Sequence, residues 1–169
     1  MMKELILKPY FEQVLEWPRI GKHILAQYDD DSIVVYQAFN NKIADWALEH
    51  QYFGGPDYKT TRMTWIKTNF LWMQYRSGWS FKQNQERTLA IWIKRSSYER
   101  FLEKCRFQWD PDHTPHGENC RRRALQIGVK GRHLQGFLHP NGDIIQIKDI
   151  TEFCRTQYIN NVKGKKGLE

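Results

Sequence analysis

Residues 32–39 read SIVVYQAF. The β-branched and aromatic residues of this stretch are typical of a buried β-strand. The three aspartates before it predict a turn, and Asn40 and Asn41 after it offer an N-cap for a helix. In the next segment, residues 42–50 (KIADWALEH), the apolar side chains fall on one helical face. A buried strand that leads directly into an amphipathic helix indicates a fold that mixes strands and helices.

The same alternation continues along the chain. Residues 88–94 (TLAIWIK) predict a second long strand, and the range 108–120 (QWDPDHTPHGENC), with its two prolines, predicts a loop. Ser96 and Glu99 have the spacing of a capping box, which predicts a helix that opens at Ser96. Shorter strands are expected at residues 63–66, 124–129 and 144–148, and further helices at 68–76, at 132–138 and from Asp149 onward.

These elements predict a single compact α+β domain over residues 1–159. We expect a small mixed or antiparallel sheet of about four to six strands with short flanking helices. Residues 160–169 (NNVKGKKGLE) are polar, basic and glycine-containing, which predicts a flexible tail. The periodicity also predicts a core that includes Val34, Tyr36, Leu71, Trp72, Leu89, Ile91 and Ile127.

Composition excludes several classes of protein. Of the 169 residues, 40% are apolar and 14% aromatic, which excludes an intrinsically disordered chain. No apolar run approaches the roughly 18 residues of a membrane helix, and no secretory signal is visible, so we expect no membrane partner. The three cysteines are widely spaced, which predicts no disulfide and a cytoplasmic location, or a nuclear one in a eukaryote. His113 and His116 lie in the predicted loop, and no metal is expected there.

The charge distribution points to an anionic partner. The chain carries a formal net charge of +7, and residues 54–109 hold 11 basic and 4 acidic residues, a difference of +7 within this segment alone. A basic middle favours a phosphate-bearing ligand or nucleic acid. An ordinary solvated basic surface explains the same count equally well.

The most informative stretch is RMTWIKTNFLWMQYRSGW at residues 62–79. Its cations Arg62, Lys67 and Arg76 stand among tryptophans, with no carboxylate in the stretch. A half-buried arginine needs an anionic or planar partner, so either the aspartates at 29–31 pair with these cations or an external phosphate does. We expect the three cations to converge on one cleft with Tyr36 and Gln37. Trp72 is most simply interpreted as a core residue.

Five runs resemble the family known as domain of unknown function 4291. They are YDDDSIVVYQAFN, RMTWIKTNFLWMQYRSGW, QERTLAIWIK, QWDPDH and RALQIG, and together the resemblance covers residues 21–151. The chain departs from the family pattern at Thr68, where proline is usual, and in a shortened segment at 102–108. The family name implies a shared fold and no particular activity.

A second resemblance, at the level of the fold, is to the ADP-ribosyltransferase superfamily. The strand at 33–38 followed by the helix at 40–48 is similar to that superfamily's first strand and helix. This resemblance implies an NAD-dependent transferase with NAD as cofactor, in which Gln37 and Glu86 occupy catalytic positions. Gln37 stands where the superfamily usually has Arg or His. The superfamily's catalytic glutamate has no clear counterpart, and Glu86, Gln126 and Asp149 are the candidates for it. The implied ligand-binding or phosphate-binding residues are Tyr36, Arg62, Thr64, Trp65, Lys67, Trp72, Tyr75 and Arg76.

The alternative is a non-catalytic module that binds nucleic acid. The arginine run at 121–123, the lysines of the tail and the aromatic, basic middle suit single-stranded RNA. In such modules bases stack on aromatic rings while lysines and arginines follow the phosphates. The two hypotheses differ in that one requires a saturable NAD pocket and the other an open, salt-sensitive groove.

Overall fold

Seven strands form one mixed β-sheet in the computed structural model, which describes residues 1–164. The strands are β1 (Gly21–Lys22), β2 (Ser32–Phe39), β3 (Thr64–Lys67), β4 (Arg87–Lys94), β5 (Arg106–His113), β6 (Asn119–Val129) and β7 (Ile144–Asp149). The helices are α1 (Tyr10–Glu16), α2 (Asn41–His50), α3 (Phe70–Ser77), α4 (Arg95–Lys104) and α5 (Thr151–Gln157), with a 3₁₀-helix at Gly131–Phe137 and a π-helical turn at Tyr158–Val162. The α+β class is confirmed, with one strand more than the largest sheet expected.

The strand order is β1-β6-β3-β2-β4-β7, and β5 also pairs with β6. The long strands β2 and β4 pair antiparallel along their whole length. The short strand β3 pairs antiparallel with β2 on one side and with β6 on the other. The brief parallel pairing of β1 with β6 is what makes the sheet mixed.

Helices cover both faces of the sheet, because successive side chains of a strand point to opposite sides. One face of β2 presents Ile33 and Val35, which pack in a cluster with α2, α4 and the 3₁₀-helix. The other face presents Val34 and Tyr36, which pack in a second cluster with α3 and α5. We call this second side the α3 face.

Six of the seven predicted core residues are buried, and Leu71 is not. Leu71 is half-buried and lines a surface depression, because it points away from the sheet on the outer side of α3. The periodicity of a short helix in a tryptophan-rich segment does not distinguish its inner from its outer apolar residues. The six buried residues are Val34, Tyr36, Trp72, Leu89, Ile91 and Ile127.

The predicted loop at 108–120 is wrong. Strand β5 continues to His113 and β6 begins at Asn119, so the two form an antiparallel hairpin. Pro111 is tolerated inside β5 because this strand pairs with β6 on one side only, and proline is compatible with an edge strand. The two prolines and the polar residues of this range therefore led to the prediction of a loop where the structure has a strand.

The predicted helix start at Ser96 is also wrong. Helix α4 begins at Arg95, with Lys94 as its N-cap residue and no side-chain cap. The hydroxyl of Ser97 donates to Asp143 at 2.7 Å. The first turn of α4 is thus fixed by a distant carboxylate and not by a local capping box. In contrast, Asn40 caps α2 as predicted, accepting a hydrogen bond from the amide of Ile43.

Helix α5 leads into the π-helical turn, so the first residues of the predicted tail are helical. Residues 165–169 of that predicted tail lie outside the described residues. Within residues 1–164, every helix is too short or too polar to cross a lipid bilayer.

A buried ion pair stabilises the β5–β6 hairpin. Arg122 on β6 donates from Nε to Asp112 on β5 at 2.7 Å, and both side chains are almost completely buried. Arg122 also donates to the carbonyl of Pro18, and its guanidinium lies over the ring of Trp17. The same arginine therefore fastens the N-terminal segment to the hairpin.

Replacing Arg122 by methionine should lower the free energy of unfolding by about 3–5 kcal/mol, because Asp112 would be left as a buried charge without its partner. Urea denaturation of the wild type and the variant measures this difference. The double variant Asp112→Leu/Arg122→Met removes both charges and should recover most of the loss. A single variant within about 1 kcal/mol of the wild type, the range of exposed pairs, would contradict this role.

Candidate functional site

Four neighbouring strands place polar side chains in one row on the α3 face. Tyr36 on β2 lies opposite Lys67 on β3, Lys67 lies opposite Gln126 on β6, and Gln126 lies opposite Gln108 on β5. Residues directly opposite each other on paired strands point to the same face. Tyr36 is the buried end of this row and Gln108 is its exposed end.

Lys67 is the buried cation of this row. Its side chain is only 7% exposed, and its Nζ donates to the carbonyl of Trp65 at 3.1 Å. Burial lowers the pKa of Lys67 to about 8, the nearby Arg76 lowers it as well, and Asp110 opposes both effects. A buried ammonium with a neutral hydrogen-bond partner and a second cation nearby is electrostatically strained.

Asp110 is the carboxylate of the site. Its Oδ1 accepts a hydrogen bond from Gln108 Nε2 at 2.7 Å, and its Oδ2 accepts one from Gln126 Nε2 at 2.9 Å. Both oxygens are thus held by glutamine amides, and Asp110 influences Lys67 through its charge. We call these residues the Lys67 site: Lys67, Arg76, Gln108, Asp110 and Gln126.

Helix α3 brings Arg76 to the site. The helix is capped at its start by Asn69, whose side chain accepts from the amide of Trp72 at 2.9 Å, and it ends at Gly78, which has a φ of 56°. Arg76 lies in the last turn, is exposed and forms no ion pair among residues 1–164.

The aspartates before β2 are not the partners of these cations. Asp29 pairs with Lys3 at 2.8 Å. No ion pair joins Asp29, Asp30 or Asp31 to Arg62, Lys67 or Arg76 within the described part of the chain. Pairing with these aspartates, one of the two alternatives that the sequence left open, is therefore not what the described residues show, and the acid near Lys67 is Asp110.

Aromatic side chains border the site on the side of the hairpin. Tyr75 stacks on His113, with ring centroids 3.7 Å apart, and Trp72 lies 5.7 Å from both rings. The Nε1 of Trp72 and the Nδ1 of His113 are buried and have no hydrogen-bond partner among the described residues. Burial also lowers the pKa of His113. Trp72 is thus a core residue, as predicted, with an unused donor.

Gln37 does not share the site with Lys67, so this part of the expected cleft is wrong. Gln37 follows Tyr36 on β2 and therefore points to the opposite face of the sheet. There its Nε2 donates to Thr64 Oγ1 at 2.6 Å and to the carbonyl of Trp65 at 3.2 Å. Thr64 accordingly also lies on the face away from Lys67.

Arg62 is likewise separate from the other two cations. It lies in the bend before β3, five positions before Lys67, and its side chain is exposed. Its backbone amide donates to the carbonyl of Lys59. Trp65, by contrast, is two positions from Lys67 on the same strand and shares its face. The structure therefore brings together Tyr36, Trp65, Lys67 and Arg76, and separates Arg62, Thr64 and Gln37 from them.

Glu86 lies at the start of β4, away from the row. Its neighbour Arg87 pairs with Phe39, three positions along β2 from Tyr36. The Oε2 of Glu86 accepts from the amide of Asn84 at 2.9 Å, and its Oε1 is buried without a partner among the described residues. No contact joins Glu86 to Lys67 or to Gln37 in residues 1–164.

Sequence reasoning missed three residues of the site. Asp110 and Gln108 were assigned to a loop, and Gln126 was considered only as a counterpart of the catalytic glutamate of ADP-ribosyltransferases. The signal that could have found them is the alternation of residues 106–110, in which the polar side chains Gln108 and Asp110 stand two positions apart and so share a face.

The fold and the site define an α+β domain with a cationic site on the α3 face of a mixed sheet. The chain belongs to the family described as Domain of unknown function (DUF4291), whose profile matches residues 23–107 and 102–167. This confirms the first resemblance noted in the sequence. Neither the curated proteins nor the solved structures contain a match to this chain. The resemblance to ADP-ribosyltransferases therefore has no structural neighbour to support it.

The lowered pKa of Lys67 predicts a specific dependence of stability on pH. Between the pKa of about 8 in the folded state and the ordinary value of roughly 10.4 in the unfolded state, the unfolded chain binds a proton that the folded chain lacks. The contribution of Lys67 to the free energy of unfolding should therefore rise by about 2 kcal/mol from pH 8 to pH 10. Below pH 8 this contribution is constant and unfavourable.

The measurement is urea denaturation of the wild type and Lys67→Met at pH 7, 8, 9 and 10. We expect the methionine variant to be the more stable protein at pH 7, and its advantage to shrink as the pH rises. Other groups titrate in this range in both proteins, so their effects cancel in the difference. Lys59→Met, at an exposed position, serves as the control. A pH-independent difference between wild type and Lys67→Met would contradict the lowered pKa.

Proposed function

We propose that the protein binds a phosphate-bearing small molecule, of the nucleotide class, at the Lys67 site. The observation that carries the proposal is an excess of positive charge. Lys67 lies near a second cation, Arg76, and near the carboxylate of Asp110, whose two oxygens already accept hydrogen bonds from glutamine side chains. A bound phosphate would supply the missing negative charge.

The two cations suit the two ways in which proteins hold phosphate. Arg76 presents a planar fork that can bind two phosphate oxygens at once, and it is exposed at the edge of the site. Lys67 lies deeper and offers a point charge. A phosphate between them would raise the pKa of Lys67, so that the ammonium form is retained at neutral pH.

The surroundings of the cations favour a nucleotide over inorganic phosphate. The side-chain oxygens of Gln108 and Gln126 accept no hydrogen bond from the described residues, while their nitrogens are engaged with Asp110. These amide oxygens can accept from the hydroxyl groups of a ribose. Trp65, half-buried on the same face, offers a flat apolar surface for a base.

NAD is one member of this ligand class, and its use in ADP-ribosyl transfer stays a prediction. That reaction requires Gln37 or Glu86 to reach the nicotinamide ribose. Gln37 lies on the face opposite Lys67, and Glu86 lies immediately before the first residue of β4. We therefore propose binding as the function and not the transfer. If the wild type releases nicotinamide from NAD and the Glu86→Gln variant does not, ADP-ribosyl transfer would be added to the proposed function.

Replacing Arg76 by alanine should weaken nucleotide binding about ten- to a hundredfold, because it removes one charge-assisted hydrogen bond of about 1.5–3 kcal/mol. Its melting temperature should stay within a few degrees of the wild type, since Arg76 is exposed. Titration calorimetry with NAD, ADP and pyrophosphate measures the affinities. Lys67→Met should reduce binding further without loss of stability at pH 7.

Arg62→Ala is the matched control, since it removes an exposed arginine of the same segment outside the site. Its affinities should equal those of the wild type. The proposal fails if none of the three probes binds, or if Arg62→Ala and Arg76→Ala weaken binding equally. Equal weakening would assign the effect to general surface charge.

A further inference from the structure

A second surface with a different character lies on the outer side of α3. Two adjoining depressions, of about 280 Å³ and about 520 Å³, share Trp79 and Tyr158 in their walls. The β5–β6 turn closes one end through residues 114–117, and Lys163 stands at the other. We call the whole surface the Trp79 groove.

The groove presents aromatic rings to solvent. Tyr75 is 50% exposed and Phe81 is 53% exposed, although a large apolar ring is normally covered. Each is held from behind, because Tyr75 stacks on His113 and Phe81 packs edge to face with Tyr158 at 5.5 Å. Each ring therefore packs against a second ring and leaves part of its own surface open to solvent.

Positive charge without carboxylate partners surrounds these rings. Lys82 follows the wall residue Phe81 in the chain, and Lys163 lines the groove. Both lysines are exposed and without an ion pair in residues 1–164. The guanidinium carbon of Arg155 lies 5.3 Å from the centre of the Phe81 ring. Among the described residues its guanidinium donates to the carbonyls of Ser80 and Glu86 and forms no ion pair.

We propose that the Trp79 groove binds single-stranded nucleic acid. Exposed aromatic rings are what unpaired bases stack on, and every base offers a flat face to such a ring. The lysines at the rim are placed to follow the phosphates of the same strand. A duplex does not fit this pattern, because its bases are already stacked on each other.

The charges favour this occupant over a second copy of the chain or an apolar peptide. The whole chain carries a net charge of +7, so two copies repel each other, and the rim of the groove adds unpaired cations to that repulsion. Glu118 follows the wall residue Gly117 at the far end and is the acidic neighbour on the hairpin side. The phosphates of a nucleic acid would meet the lysine end of the groove.

This inference is independent of the proposed nucleotide site. The Trp79 groove uses the outer residues of α3 and the π-helical turn, whereas the Lys67 site uses the inner face of the hairpin and the end of α3. Lys67→Met should therefore leave the binding of an oligonucleotide within about twofold of the wild type. The same variant should weaken the binding of ADP by more than Arg76→Ala does, so each claim can fail separately.

The test is fluorescence anisotropy of the full chain with a labelled twelve-residue oligouridine, its DNA counterpart and a matched RNA duplex. We expect the single strands to bind more tightly than the duplex, with an affinity that falls as salt rises from 50 to 200 mM. Phe81→Ala and Tyr75→Ala should each weaken binding about five- to a hundredfold, the effect of losing one stacked base. Lys82→Gln and Lys163→Gln should reduce the dependence on salt.

Phe107→Ala is the matched control, because Phe107 is 50% exposed on β5 and lies outside the groove. It should bind the oligonucleotide like the wild type. Equal weakening in Phe107→Ala and Phe81→Ala, or equal affinity for single strand and duplex, would overturn the proposal. Sedimentation of the same variants tests the remaining alternative. If the wild type is a dimer that dissociates in Phe81→Ala while oligonucleotide binding is unchanged, the groove is an interface between copies and the proposal is wrong.

Discussion

The pairing of the four residues of β3 is the constraint on which the structure depends. Strand β3 is paired with β2 on one side and with β6 on the other, so the antiparallel group β2, β4 and β7 is joined through it to the hairpin of β5 and β6. If β3 shifted by one residue, its side chains would exchange faces. Ile66 would then leave the core and Lys67 would enter it.

The same register places a lysine where a hydrophobic residue would be more stable. Lys67 occupies a position beside the buried Tyr36, and its pKa is lowered because the ammonium form is poorly solvated there. Nothing in the packing of the sheet requires this charge, since a methionine of similar length could cover the same surface. Residues that lower stability in this way are commonly kept for binding or chemistry. Binding of the proposed phosphate ligand would explain why a lysine occupies this position.

Local patterns predicted the parts of the fold that are fixed locally. The strand at 32–39 has the predicted bounds, and Asn40 caps α2 through its own side chain. The hairpin of β5 and β6 was missed because an edge strand accepts a proline and polar residues that a central strand excludes. The start of α4 was misplaced because its first turn is fixed by a distant residue. The hydroxyl of Ser97 donates a hydrogen bond to Asp143, and a local sequence pattern does not show this contact.

The site could be predicted only in part, because it depends on which strands are neighbours. Alternation along β2 already separates Tyr36 from Gln37, and this much was available from the sequence. The pairing of Lys67 with Tyr36 and Gln126 was not, since it joins segments that are far apart in the chain. Asp110 enters the site through the same long-range pairing. The basic middle of the chain therefore indicated an anionic partner without locating its site.

The most direct test of the central claim is an NMR titration of the Lys67 side chain, with and without ADP. Selective labelling of lysine, with Lys67→Met to assign the signal, gives the pKa of this one amine. The account predicts a pKa of about 8 in the free protein and a clear rise when ADP is bound, because the phosphate stabilises the ammonium form. A pKa near the ordinary value of roughly 10.4 in the free protein, or one that ADP leaves unchanged, would contradict it.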